Sequence, residues 1–356
     1  MVVPVDPSHA ARLARYGVVA TALDLLSDRQ VGELVDRATP LGTGIGGTSV
    51  SLEVEGTPVF AKRVPLTDLE RRPENVRSTA NLFGLPPFYH YGVGSAGGGV
   101  WRELAAHAMT THWVLTNRSE NFPLLYHWRV LDGPPARPPG ERDEITRWVE
   151  YWDGSPAVRA RLEALAGAPA SVVLFCEHLP WNLHDWLTER VPHEGNALAL
   201  VERDLRAGTS FMNSHGLWHF DAHFQNILTD GHRLYFSDFG LATSTRFDLA
   251  ESEADFLGRN STHDGCYVVT QWVNWLVTAL AGTTDRSARV EFVRRCAERG
   301  DIGNLPGPAA AIVQRYAPIA AVLNEFYGKL FFETRTAPYP AAEIQQVCAA
   351  TGFEPA

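Results

Sequence analysis

The chain has 356 residues, 45% hydrophobic and 20% charged, a balance that excludes disordered and fibrous proteins and allows either one bilobal enzyme or two to three compact units. Its formal net charge of −10 repels phosphate backbones, and no dense block of Lys and Arg reverses this locally, so a nucleic-acid partner is not expected. The four cysteines, Cys176, Cys266, Cys296 and Cys348, are too scattered for a zinc site or a disulfide scaffold, and no signal peptide or long apolar run is visible; a cytoplasmic protein with reduced thiols and no membrane association is expected.

Before Gly42, Leu23, Leu26, Val31, Leu34 and Val35 recur at three- and four-residue steps, which predicts a packing helix. From Gly42 to about Val64 a glycine-rich turn separates short extended runs, and SLEVEG meets TPVFAKRV at Gly56, a hairpin signal that opens an antiparallel sheet. Pro65 to Gly99 is rich in Pro, Gly, Asn and aromatic residues without a period and reads as an irregular segment or inserted loop. Helical period returns at Trp101, in WRELAAHAMTTHWVL. PLLYHWRVL then reads as a strand, and DGPPARPPGERD as punctuation that no helix or central strand could hold. EITRWVEYW and AVRARLEALAG form a helical insertion before the apolar strand SVVLFCEHL. From Leu183 onward the pattern is mainly helical, broken by LWHFDAHFQNILTDGHRLYFSDFGLA, where NILTD and RLYFSD flank a Gly turn. No internal repeat or low-complexity tract is present.

That interruption carries the chemistry. His219, Asp221 and Asn226 stand on one loop, and Ser237, Asp238, Phe239 and Gly240 follow a short hairpin. Transfer of a phosphoryl group requires an oriented acceptor hydroxyl and a metal that neutralises phosphate charge. Asp221 suits the first task; Asn226 and Asp238 supply hard oxygen ligands for Mg²⁺. Turn chemistry explains Asp230 beside Gly231 but not this ordered set.

Together the two motifs resemble the protein kinase superfamily, whose catalytic loop reads H-x-D-x-x-x-x-N and whose metal site reads D-F-G. Upstream, Gly42, Gly44 and Gly47 fit G-x-G-x-x-G, a loop whose backbone N–H groups approach phosphates; Gly46 leaves the register open. Val59-Phe60-Ala61-Lys62 is similar to the V-A-I-K strand, and the resemblance makes Lys62 the cation for the α- and β-phosphates. It also implies a helix glutamate paired with Lys62, with Glu103 as the candidate and Glu74 as the alternative. Leu174 to Leu179 resembles the strand and hinge that hold adenine, so Glu177, His178 and Leu179 would supply hinge contacts and Cys176 would line the back of the pocket. By the same resemblance His219 is a scaffold residue packed against Phe239. Asp264 either receives catalytic-loop N–H groups or caps a helix. A zinc site from His215, His219 and His223 is the competing metal reading.

The resemblance covers roughly Gly42 to Ala281. It departs at Phe220, which replaces the arginine that senses a phosphorylated activation segment, so control by that route is not expected. No A-P-E follows Gly240. His223 resembles the aminoglycoside and choline kinase branch, whereas Asp238-Phe239-Gly240-Leu241-Ala242 looks like a protein kinase. The implied fold is α+β and bilobal, with an antiparallel-sheet N-lobe and a mainly helical C-lobe. The implied domains are an N-terminal helical extension at 1–41, an N-lobe with a helical insertion at 42–179 and a C-lobe at 180–356. The implied activity is ATP- and Mg²⁺-dependent transfer of the γ-phosphoryl group to a Ser or Thr hydroxyl of a protein or peptide, with a small-molecule hydroxyl as alternative acceptor. A nucleotide-binding pseudokinase scaffold is the non-enzymatic alternative. Nothing in the sequence speaks to oligomeric state.

Overall fold

Ser27 divides the expected N-terminal helix in two. Its hydroxyl accepts from the Gln30 backbone while the Gln30 side chain accepts from the Ser27 backbone, a reciprocal cap that ends one helix and starts another. The computed structural model, which describes residues 8–44, 47–133, 142–190 and 196–355, accordingly begins with α1 (His9–Asp24) and α2 (Asp28–Asp36). Gly46 and most of the proline-rich punctuation lie outside the described residues. The protein is mixed α and β and divides into two compact units: Met1–Pro180 with Asp238–Thr243 and Phe247–Ala250, and Trp181–Ser237 with Ser244–Arg246 and Glu251–Ala356.

The first unit is built on a five-stranded antiparallel sheet. Its strands are β1 (Thr39–Gly44), β2 (Gly47–Val54), β3 (Thr57–Leu66), β4 (Leu125–Asp132) and β5 (Ala170–Glu177), in the order β1-β2-β3-β5-β4. β1 begins before Gly42, because Thr39 and Pro40 pair with Ser51 and Val50 ahead of a bulge. The β2–β3 turn is Glu55-Gly56, both with positive φ (49° and 72°), which is the backbone twist that a tight two-residue hairpin demands. Pro65 is tolerated because the β2 ladder ends at Arg63, beyond which β3 pairs only with β5.

The segment expected to be irregular holds the short α3 (Asp68–Arg71) and 3-10 turns at Pro73–Asn75 and Pro87–His90. α4 (Val100–Leu115) follows; α5 (Arg142–Tyr151) and α6 (Pro156–Ala166) form the insertion between β4 and β5. Val100, Trp101 and Leu104 of α4 pack on Val64, Leu66, Leu125, Val172 and Leu174 of the sheet, a buried apolar seam that fixes where α4 lies.

The second unit is mainly helical. A small antiparallel sheet joins β6 (Trp181–Asn182) to β8 (Ile227–Thr229) and β9 (Leu234–Phe236), with β7 (Leu217–Trp218) between β6 and β8 in the chain. Its helices are α7 (Leu183–Arg190), α8 (Asn196–Ser214), α9 (Glu251–Arg259), α10 (His263–Leu280), α11 (Arg286–Arg299), α12 (Gly307–Phe332) and α13 (Ala341–Thr351). α8 meets β9 at Gly208, where a Cβ would overlap the Phe236 ring, so only glycine permits this approach. Among the described residues, no helix is long and apolar enough to cross a membrane.

Candidate active site

In the first unit β3 places Lys62 in register with Ser49 on one side and Leu174 on the other. Its ammonium donates to Glu103 Oε1 and to Asp238 Oδ1, both at 2.7 Å. Glu103 reaches it from the first turn of α4, whereas Glu74 stands exposed in a 3-10 turn. Burial opposes the charged form of Lys62, but the Asp238 and Glu103 carboxylates outweigh it and hold the ammonium well above its ordinary pKa. Burial pushes the Glu103 carboxyl up, and Lys62 offsets this only in part.

Asp238 adopts the left-handed region, φ +58°, which is costly for a residue with a Cβ and concentrates at functional positions. Phe239 beside it is fully buried and meets the His107 ring edge-on, centroids 5.0 Å apart.

Gly47 is required sterically: its φ is +135°, and a Cβ there would collide with the Arg63 carbonyl. No such reason applies to Gly42 or Gly44, whose Cβ positions face open space. On β5 the buried Cys176 thiol is pushed up to about 12 by burial and then by the Glu103 charge, so it is a protonated core side chain rather than a nucleophile. The Glu177 side chain is committed elsewhere. It accepts from Arg12 Nε at 2.9 Å and Nη2 at 2.7 Å, and Arg12, itself 1% exposed, also donates to the carbonyls of Glu120 and Phe122. His178 is exposed and Leu179 half-buried in the loop that follows.

In the second unit the loop from His219 to Asn226 is held from beneath. Asp264 on α10 accepts from the backbone N–H of His219 at 2.6 Å and of Phe220 at 3.0 Å, and from Asn213 Nδ2 at 3.1 Å. Thr262 occupies the N-cap position of α10, so Asp264 serves the loop and not the helix end. Burial would raise the Asp264 carboxyl, but the bond and charge of His263 and the His219 N–H hold it below the usual carboxylate range. Phe220, φ +61° and fully buried, stacks on His263 at 4.9 Å and lies 5.5 Å from the Phe256 ring. An aromatic cage thus fixes the strained backbone immediately before Asp221.

Asn226 Nδ2 donates to the Asp221 carbonyl at 3.0 Å and to Asp221 Oδ2 at 3.1 Å, which orients both side chains. The Asn226 carbonyl in turn accepts from Ser237 N at 2.9 Å and Ser237 Oγ at 2.7 Å, tying the loop to the end of the hairpin. His223 Nε2 lies 3.7 Å from Asp221 Oδ2. The His219 ring bonds the Ser237 carbonyl at 2.8 Å and has Phe236 as a ring neighbour.

Among the described residues no group of three or more His, Cys, Asp or Glu is placed to hold a metal ion. The zinc alternative fails on geometry: His215 bonds the Phe211 carbonyl and His219 the Ser237 carbonyl instead of converging. Asp238 and Asn226 offer hard oxygen atoms, the type that Mg²⁺ accepts. Arg12 escaped sequence reasoning, since an arginine in an amphipathic helix looks solvated until its distant partner is known; five glycines between 92 and 99, immediately before α4, were the one signal that this stretch has close backbone approaches. No protein-family model matches the chain, and no curated protein matches it in sequence.

Proposed function

We propose that this protein is an ATP-dependent phosphotransferase with a bilobal, protein-kinase-like fold, which moves the γ-phosphoryl group to a Ser or Thr hydroxyl of a protein or peptide. The first unit would act as the small lobe and the second as the large lobe. The observation that carries this reading is Lys62, a buried ammonium bonded to a helix glutamate and to the strained Asp238. A structural ion pair has no need of a second carboxylate in a costly backbone conformation, whereas a phosphate and metal site needs both.

Two further features support it. Gly42 and Gly44 lack side chains where packing does not require it, as expected where backbone must approach a phosphate. Asp221 is held by Asn226 with its loop anchored on Asp264, so its carboxylate is preorganised to orient an acceptor hydroxyl and take its proton. Asp238 and the oxygen of Asn226 would hold Mg²⁺, which when bound neutralises charge on the phosphates. Lys62 would bind the α- and β-phosphates, and Glu177 to Leu179 would meet adenine through backbone groups. His223, two residues after Asp221 as in the aminoglycoside and choline kinase branch it resembles, favours a small-molecule hydroxyl as the second reading of the acceptor.

The test combines a thermal shift with Mg·ATP, ADP release, and mass spectrometry after incubation with a peptide and amino-alcohol library. Stabilisation plus transfer is the expected result, with Asp238→Ala losing the Mg²⁺-dependent part of nucleotide binding. Stabilisation without any transfer would make the protein a pseudokinase scaffold, and absence of both would end the nucleotide reading.

A further inference from the structure

Residues 87–99, from the start of the second 3-10 turn to α4, do no work in the phosphotransfer reading, yet they are fixed on two sides. On one side Trp148 of α5 occupies the space into which a Cβ at Gly94 would project, and Tyr89 meets the Trp152 ring edge-on at 4.5 Å. On the other side they reach the metal segment. His90 Nδ1–H donates to the Leu241 carbonyl at 2.9 Å, and the Gly98 N–H donates to the Gly240 carbonyl at 3.2 Å. Gly97 has φ +83°, and a Cβ there would stand 2.8 Å from the Gly240 carbonyl oxygen. α4 continues the series, with His107 against Phe239 and Glu103 linked to Asp238 through Lys62. Asp238, Phe239, Gly240 and Leu241 are thus each held by a separate group of the first unit.

The left-handed backbone of Asp238 persists only if its surroundings over-determine it. Many switchable segments obtain that order from a phosphate paired with an arginine; the position before Asp221 here is the caged, apolar Phe220. We propose that residues 87–99 are a built-in anchor that keeps Asp238–Leu241 in place without phosphorylation of the chain, with His90 and Gly97 as positioning residues. The consequence for turnover rests on the phosphotransferase reading; the anchoring itself does not.

Hydrogen exchange on the full chain, shown by intact mass to carry no phosphate, tests it. Peptides spanning 238–242 should exchange slowly in the wild type and at least about tenfold faster in Gly97→Ala and His90→Phe, with β3 and β5 unchanged. His90→Asn, whose amide can also donate to the Leu241 carbonyl, should restore protection. Gly84→Ala is the control: it has φ +62° but open space around its Cβ, so it carries the backbone cost without the collision and should leave 238–242 unchanged. Should His90→Phe fail to fold, the comparison of Gly97→Ala with Gly84→Ala still decides. Fast exchange in the unphosphorylated wild type, or equal behaviour of the two alanine variants, would overturn the anchor. ATP turnover is measured on the same samples: loss confined to the anchor variants adds support, and absence of turnover in the wild type ends the phosphotransferase reading while the exchange result still judges the anchor.

Discussion

Asp221 and Asn226 form a pair in which the amide nitrogen of one binds both the carbonyl and a carboxylate oxygen of the other, and the loop carrying them hangs on Asp264. An asparagine at 221 would still offer a side-chain oxygen and its carbonyl to the Asn226 amide. On the phosphotransferase proposal Asp221→Asn keeps the shape and removes the proposed proton acceptor, so turnover should fall by roughly 10²–10⁴ while calorimetric nucleotide affinity stays near wild type. Turnover near the wild-type value would remove Asp221 from proton transfer. Asp264 matters differently. It touches no reacting group in this scheme, but it accepts three buried N–H donors, from His219, Phe220 and Asn213, and removing it would take a buried acceptor from each of them.

At the scale of elements, α1 is tied to the sheet by its buried Val19 and Leu23 and by the side chain of Arg12. Arg12 crosses from α1 to the last residue of β5, so Arg12→Met removes the bidentate cation of the buried Glu177 carboxylate, leaving Arg15 at 4.0 Å, and should cost about 3–5 kcal/mol. Urea unfolding followed at β5 amides would show it, and a loss below about 1 kcal/mol would mean that α1 is not held this way. A second element contact is steric. Gly208→Ala forces α8 away from the Phe236 ring, and the expected destabilisation is about 1–3 kcal/mol in the second unit, read from α8 and β9 exchange. How much of this was legible in sequence follows from the range of each interaction. The β2–β3 hairpin was readable because the Glu55-Gly56 turn and the flanking alternation are local, and the pairing of Lys62 with Glu103 was expected from the order of the strand and helix motifs and is formed. The division between α1 and α2 hid in a continuous apolar period, since only the reciprocal Ser27–Gln30 cap breaks it. Local sequence could not separate an Asp264 that caps a helix from one that receives a loop 44 and 45 residues earlier. Arg12 left no local trace, and the glycines before α4 marked close approach at 87–99 without naming its partners, because those partners lie 165 residues away in one case and about 150 in the other.

Across the whole molecule, acid reaches both units through carboxylates held below their usual range. In the first unit burial would raise Glu70, but the Arg161 guanidinium 3.0 Å away, Thr67, and the Val100 N–H outweigh it; in the second, Asp264 is depressed in the same sense. A carboxyl with a lower pKa folded than unfolded binds protons more readily in the unfolded chain. Its contribution is therefore complete above the unfolded value and is lost as pH falls through the folded one, which places the loss below about pH 4.5. Glu70→Gln removes that titration in the first unit only and leaves the buried Arg161 without its carboxylate, which is 2% exposed in the native protein. The variant should be about 3–5 kcal/mol less stable than wild type near pH 7, and the difference should shrink as pH falls and the wild-type carboxyl itself becomes protonated. Because the two compact units need not unfold together, β5 amides report the first and α10 amides the second under urea at a series of pH values. The narrowing should appear in β5 alone. A gap in β5 that stays constant from neutral to acid pH would mean that Glu70 is not the group linking this unit's stability to acid.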